Sequence, residues 1–352
     1  LIKNGPTHYI ANVTTRYMAL LLDEQIVLPI SINEEEYANS YVCSPYSHYV
    51  TYAKEELVLI QQRWLKFALK ILIDCFGVFC KWCRINKTVH INNWLLSTNL
   101  YPALRPEQLA ATLSFLRERF PQHALILRSL NAYTNASLLE AARQYGCRLV
   151  PSRQIYLVEP ANGGSIPSKA RWLLKRDRAL VQKHGYSVVA ANELQEQDIP
   201  RIVEIYNMLY LQKYSLCNPM FNEEFIRLAL QGQTLHLVTL RKDGRVDAVL
   251  GYFCRNGVMT TPLFGYDTEL PLEIGLYRML SALLFFIAQE NKYVLHESSG
   301  AAQFKRNRGA IADIEYSAVY DLHLPWYRRL CWIVLSRILD GVGIPLMKRY
   351  RL

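Results

Sequence analysis

Hydrophobic and polar positions change period several times along this chain, and each change marks an element. The runs Ala19-Leu-Leu-Leu and Gln25-Ile-Val-Leu-Pro-Ile predict strands and loops over residues 1–54, with a buried strand ended by Pro29. The stretch Asn39-Ser-Tyr-Val-Cys-Ser-Pro-Tyr-Ser-His-Tyr-Val-Thr-Tyr has many hydroxyls and little period; such a loop either lines a site or packs as a connection. Residues 54–83 read as one long helix. Arg63, Lys66, Lys70 and Asp74 fall three to four apart on a narrow stripe, and the rest of its circumference is apolar. That apolar face is expected to pack in the protein core, with a membrane interface as the alternative.

Further along, Pro106-Glu-Gln-Leu opens an amphipathic helix that precedes the strand Ala124-Leu-Ile-Leu-Arg. A second helix over 135–145 ends at Gly146, and Cys147-Arg-Leu-Val and Arg153-Gln-Ile-Tyr-Leu-Val read as two more strands. Asn162-Gly-Gly-Ser is a loop. The helix after it sets Lys169, Arg171, Lys175, Arg176, Arg178 and Lys183 against the single acid Asp177, and the domain junction is placed there. The second half has helices over 196–214 and 221–231. A hairpin then turns at Lys242-Asp-Gly, since Asp-Gly between apolar runs favours a tight turn. A strand near 257–264, a helix over 272–290 and strands over 293–297 and 314–321 follow. The expected fold class is α/β (α+β), with mixed central sheets flanked by helices in two tandem parts. An N-terminal αβ domain covers 1–160, a second domain 161–324, and a basic aromatic helical tail 325–352.

Composition narrows the possible functions. At roughly 100–200 residues per domain, 352 residues suit about two domains. With 51% hydrophobic and 12% aromatic residues the chain has a core to bury, so disorder as the main state is excluded. A net formal charge of +10 favours a polyanionic partner: nucleic acid, an anionic membrane, a nucleotide-bearing substrate or an acidic carrier. Eight cysteines without zinc-like spacing predict reduced thiols. Residues 1–21 lack a basic start followed by an apolar run, and charges interrupt 57–83, so a cytoplasmic protein without a spanning helix is expected. Walker, His-Glu-x-x-His and Gly-x-Ser-x-Gly motifs are missing, which removes the leading routes to nucleotide, zinc-peptidase and serine-hydrolase chemistry.

Three segments carry a family resemblance over about residues 160–322. They are the basic helix Arg171-Trp-Leu-Leu-Lys-Arg-Asp-Arg, the hairpin end Val249-Leu-Gly-Tyr-Phe, and Gly300-Ala-Ala-Gln-Phe-Lys-Arg-Asn-Arg-Gly. This half resembles GNAT-fold acyltransferases, and within them the branch of Fem aminoacyltransferases and cellulose-biosynthesis-type acetyltransferases. The resemblance implies tandem GNAT-like domains, the first a degenerate repeat. It also implies an N-acyltransferase that moves an activated acyl or aminoacyl group to an amine. Where acetyl-CoA enzymes of the family carry a basic glycine-rich turn for the pyrophosphate, this chain has Glu269-Leu-Pro-Leu-Glu-Ile-Gly. Two acids at a helix start repel a pyrophosphate, so among the co-substrates acyl-CoA, acyl carrier protein and aminoacyl-tRNA the latter two gain over CoA, with no tightly bound cofactor.

Amide formation needs the donor held, the amine neutral and the leaving group stabilised. Lys305, Arg306 and Arg308, with Ser298, Ser299 and Gly300, are the candidates for donor or phosphate binding; a solvated charged turn is the plainer account. His296 and Glu297 end a predicted strand, where one of the two faces the cleft, and Tyr266 and Asp267 are further candidates for proton transfer and amine binding. Asn207, Tyr210, Lys213 and Tyr214 recur at helical spacing and could line an acceptor pocket or pack as helix core. The acceptor is expected to be a small-molecule or peptide amine, and tRNA, a carrier protein or a peripheral membrane contact are possible partners. The competing reading is a catalytically silent GNAT-like module that grips RNA or an anionic membrane through its basic strips.

Overall fold

Strand β1 (Arg16–Leu22) turns through Asp23 and Glu24, both with left-handed φ, into β2 (Ile26–Asn33). Pro29 does not end this strand. It sits opposite Ala19 of β1, and pairing with the next strand starts only at Ile30, so its missing N–H interrupts no ladder there. The expected single helix over 54–83 is two helices. α1 (Tyr52–Glu56) runs into a short turn, Leu57–Leu59, and α2 (Arg63–Trp82) restarts after the extended backbone of Gln62. β3 (Thr88–Ile91), α3 (Pro106–Arg119), β4 (Ala124–Asn131) and α4 (Ala132–Gln144) follow. The two strands expected over 147–158 are one, β5 (Arg148–Val158), which runs through Pro151. β10, defined below, pairs with β5 only at Leu157 and Val158, so Pro151 lies on a stretch that demands no donor from that side.

The chain continues with α5 (Ser168–Lys183), β6 (Ser187–Ala190), α6 (Ile199–Asn207), a π-helical turn Met208–Tyr214, and α7 (Glu223–Gly232). β7 (His236–Lys242) and β8 (Arg245–Arg255) form the predicted hairpin; Asp243 and Gly244 take the left-handed φ values of 50° and 79° that such a turn demands. β9 (Val258–Tyr266), α8 (Leu276–Glu290), β10 (Val294–His296), α9 (Ala302–Arg306), β11 (Ile311–Tyr320), α10 (Trp326–Ile338) and α11 (Ile344–Tyr350) complete the order. The structure is a computed structural model that describes residues 1–59, 61–159, 166–232 and 235–350, so the expected loop at 162–165 lies outside the described residues.

Contacts divide the chain into two units. The first holds Leu1–Arg153, Ser215–Met220 and Ile314–Arg349; the second holds Gln154–Tyr214 and Phe221–Asp313. The expected tail thus belongs to the first unit, where Cys331, Trp332 and Leu335 of α10 are buried with Val50, Ile126 and Val319. In the first unit the strand order is β1-β2-β3-β4-β11-β5, with β3 and β4 parallel and β1-β2, β2-β3 and β4-β11 antiparallel. In the second it is β5-β10-β9-β8-β7-β6, with β9 and β10 parallel and their outer neighbours antiparallel. Each unit therefore has a mixed sheet flanked by helices, and each repeats one motif: a hairpin, an antiparallel third strand, then a helix crossing to a parallel fourth. Such crossovers need a helix because parallel neighbours cannot be joined by a tight turn.

Candidate active site

The second unit opens where its parallel strands part. Val294, Leu295 and His296 lie opposite Val258, Met259 and Thr260, and there β10 ends. β9 continues to Tyr266 paired with β8 on its other edge. The carboxyl ends of diverging parallel strands expose unpaired backbone and are where α/β sheets bind ligands.

Side chains gather around this opening for identifiable reasons. Gly265 lets β9 lie against α6, since a Cβ there would stand 2.8 Å from the backbone O of Ile205 and N of Tyr206. The π-helical turn after α6 then presents Tyr210, Lys213 and Tyr214. Tyr206 stacks on Tyr210 at 5.0 Å, Tyr210 meets Tyr214 edge-on at 5.7 Å, and Lys213 Nζ reaches the Tyr266 hydroxyl at 3.5 Å. Tyr277, near the start of α8, touches Phe264, Tyr266 and Phe304 at centroid distances of 5.6, 6.3 and 4.8 Å. The result is an aromatic wall.

Glu297 follows β10 directly. Its N–H donates to Tyr156 O at 2.9 Å, while its Oε2 is enclosed without a hydrogen-bond partner among the described residues. Burial pushes this carboxyl above the ordinary carboxylate value, although the charges of Lys305 and Arg308 oppose the shift. Burial also raises the Tyr277 phenol, and the Glu297 charge is the next cause, so the two groups face one environment. His296 is buried, and its Nδ1 accepts the Ser298 N–H at 3.1 Å.

The loop after Glu297 is tightly wound: Ser298, Gly300 and Ala301 all have left-handed φ. Such a conformation costs roughly 1–3 kcal/mol at a non-glycine residue. Lys305 offsets it. Its buried ammonium donates to the carbonyls of Glu297 at 2.5 Å and Ser299 at 2.8 Å, and lies 5.5 Å over the Tyr156 ring.

The structure thus gathers Glu297, Tyr266, Tyr210 and Tyr214 with Lys213, and adds Tyr277 and Phe304, which sequence reasoning missed. Other candidates have partners inside the fold. Arg308 is buried against Asp177, the lone acid of the basic helix, with Nε at 2.9 Å. Asp267 is buried and engaged by Arg201 at 2.6 Å and by Arg245. Arg306 lies 5.7 Å over the Tyr156 ring, Ser299 and Gly300 are exposed, and the Asn207 Oδ1 is enclosed without a hydrogen-bond partner among the described residues. Arg278 was missed as well. Its Nη2 donates to Glu273 O at 3.1 Å and takes the space a Cβ on Gly275 would need, which puts a guanidinium at the α8 start where the sequence pattern offered only acids. Its one sequence signal was the spacing Gly275-x-x-Arg278.

Residues 168–306 match the family model described as an acetyltransferase (GNAT) domain. The second unit is accordingly a GNAT-type acyltransferase domain. A search of curated proteins finds no match to the chain. Solved structures with similar folds include L-PGS from Bacillus licheniformis, at 13% identity and a TM-score of 0.49, covering 66% of this chain and 78% of that one. FemX matches at 8% identity and a TM-score of 0.46 over 60% of this chain and 77% of its own. A GCN5-related N-acetyltransferase from Kribbella flavida matches at 14% identity and a TM-score of 0.35, over 67% and 83%.

Proposed function

We propose that this protein is an N-acyltransferase that moves an activated acyl or aminoacyl group onto an amine, with Glu297 as the general base. The observation that carries the reading is the enclosed Glu297 Oε2 at the parting of β9 and β10, facing the Tyr277 environment. An amine arrives as ammonium and cannot attack until it loses a proton. Glu297 takes that proton, the nitrogen forms the new bond to the acyl carbon, and the bond from that carbon to the donor sulfur or ester oxygen breaks. Tyr266, with Lys213 beside its hydroxyl, gives a proton to the leaving atom and takes the second proton that the nitrogen sheds as the amide forms. Tyr210 and Tyr214 wall the acceptor side. Lys305 acts as a positioning residue, because its ammonium holds the carbonyls on either side of Ser298. Arg278 at the start of α8 supplies a cation for a donor phosphate, a group that acyl-CoA, the prosthetic arm of a carrier protein and tRNA all carry, and acyl-CoA is the donor we assign for testing. A cytosolic setting suits any of these donors.

The test sets acyl-CoAs and, separately, charged tRNAs against the purified protein, and reads thermal stability and acylated product by mass. A donor at 100 times its dissociation constant stabilises the fold by about 2.7 kcal/mol. A shift with acyl-CoA that Arg278→Ala removes supports the CoA assignment. A shift with charged tRNA alone overturns it in favour of the aminoacyl donor. Amide product that Glu297→Gln still forms at the wild-type rate overturns the base assignment.

A further inference from the structure

α2 does not bury the apolar circumference its sequence predicts. Spacing and exposure resolve it into three stripes. Gly77 and Cys80 are buried, with Leu69, Ile73 and Phe76 half-buried on the same side. Arg63, Lys66, Lys70 and Lys81 form a second, cationic stripe. Between residues 57 and 82 the sole acid is Asp74, and it is ion-paired with Lys54 of α1. The third stripe is apolar and exposed: Trp64 is 73% accessible, Phe67 67% and Val78 70%, with Ile71, Cys75 and Trp82 between and beyond them at three- and four-residue spacing and Leu72 at its margin. Trp82 continues the surface by meeting Trp326 at 6.5 Å and Tyr327 at 5.7 Å, and Trp326 is itself 71% exposed.

A contiguous apolar patch of this size is rare on a soluble monomer and marks a surface with a partner. Charge decides which partner. The cationic stripe lies about a quarter-turn from the apolar one, so when the apolar face is immersed Arg63, Lys66 and Lys70 sit at headgroup height, where long basic side chains extend outward, while Lys81 lies over the Tyr37 and Tyr46 rings. The tryptophans at its two ends and the Trp326–Tyr327 pair have the amphipathic rings that settle at a bilayer interface. A second copy of the chain would bring two like-charged stripes together, which disfavours self-association. Lysine is depleted from protein–protein interfaces, which argues against a protein occupant.

We propose that α2, with Trp326, is an interfacial helix that docks this protein on anionic phospholipid bilayers, lying in the plane of the surface rather than crossing it. The contact lies on the first unit, so its test is separate from the chemistry of the second. Flotation is measured with vesicles of phosphatidylcholine alone and with about one-third phosphatidylglycerol. The full chain is expected to float with the anionic vesicles, and less so at high salt. The variant Trp64→Ser/Phe67→Ser/Leu72→Ser changes only exposed side chains, so its melting temperature should hold while its vesicle partitioning falls by at least about tenfold. Lys66→Glu/Lys70→Glu should lose the preference for anionic lipid. Because a variant can misfold, the wild type is also read directly: an environment-sensitive dye on the exposed Cys75 should shift to the blue and be shielded from aqueous quencher when anionic vesicles are added. A protein that stays in the soluble fraction with an unshielded dye overturns the proposal. So does a triple variant that floats like the wild type. A concentration-dependent dimer that the triple variant abolishes, with no vesicle binding, overturns it in favour of a second copy of the chain.

Discussion

Arg128 stands in the first unit where Glu297 stands in the second. Each follows by one residue the last parallel-paired position, Leu127 opposite Ile91 and His296 opposite Thr260. Each precedes a serine with left-handed backbone, Ser129 at φ 64° and Ser298 at φ 59°. The two units therefore share one local geometry at this point, although the residues differ. A carboxylate that can accept a proton occupies one copy. A guanidinium that cannot lose one under ordinary conditions occupies the other. Arg128 donates to Val42 O at 2.7 Å and lies 5.8 Å over the Tyr41 ring, so it holds the first unit's loop to its sheet.

The two positions should respond to mutation in opposite ways. Glu297→Gln keeps shape and removes the base, so turnover should fall by about 10²–10⁴-fold with the melting temperature maintained. Arg128→Met removes a charged donor from the Val42 carbonyl and leaves it only the Asn93 amide at 2.9 Å, which costs about 1.5–3 kcal/mol, while the rate per folded molecule stays near wild type. Chemical denaturation paired with steady-state kinetics on both variants separates the effects. A rate lost in Arg128→Met at full folding would put chemistry in the first unit.

The raised Glu297 carboxyl sets a pH profile. A base works only when ionised, so kcat/KM should climb with pH through a limb above the ordinary glutamate range, and Glu297→Gln should flatten what remains. Stability runs the other way. The folded state holds this proton more tightly than the unfolded chain, so the contribution is full below the unfolded value and is lost as pH rises through the folded one. The same substitution should therefore leave stability at neutral pH unchanged or improved. A kcat/KM limb in the ordinary carboxylate range would point to an exposed acid instead.

Local rules made much of this fold legible. The Asp243–Gly244 turn, the basic helix α5 and the strand carrying His296 all follow from period, turn chemistry and composition. What the sequence hid are relations between distant residues. Asp177 and Arg308 are 131 positions apart, so one read as the odd acid of a basic helix and the other as a free phosphate ligand. Lys305 looked solvent-facing because nothing in Phe-Lys-Arg announces that its ammonium turns back on two carbonyls. The pattern of α2 was read correctly as amphipathic, but periodicity gives a stripe without saying what covers it.

The Asp177–Arg308 pair gives a test of that distinction. Both side chains are buried: removing Asp177 leaves Arg308 without its ion-pair partner in low dielectric, at a cost of about 3–5 kcal/mol, while removing Arg308 leaves Asp177 only the more exposed Arg176 at 3.2 Å, a smaller loss. Asp177→Asn and Arg308→Met should each lower the urea midpoint, the first more sharply. The double variant should recover part of the loss, because neither charge is then stranded. An Arg308→Met protein with wild-type stability and weakened donor binding would return Arg308 to the role its sequence suggested.

His48 should make the first unit acid-sensitive. Its ring is half-buried, its Nε2 lies 2.9 Å from Ser152 Oγ, and desolvation with the nearby charges of Arg128 and Arg153 holds its pKa down at about 3. His90, which lines the same small cavity, is shifted in the same direction by burial and by Arg128. In the unfolded chain both imidazoles take a proton near pH 6.5, well before they do so in the fold. Stability is therefore complete above that value and is lost as pH falls toward the folded one, by up to about 1.4 kcal/mol per pH unit for each ring. Urea midpoints at neutral pH and near pH 4.5 should differ strongly in the wild type and less in His48→Gln, which keeps a polar group toward Ser152 without the titration. Equal pH slopes in the two proteins would mean that the acid lability arises elsewhere, with the Glu34–His123 contact at 2.9 Å the next to replace.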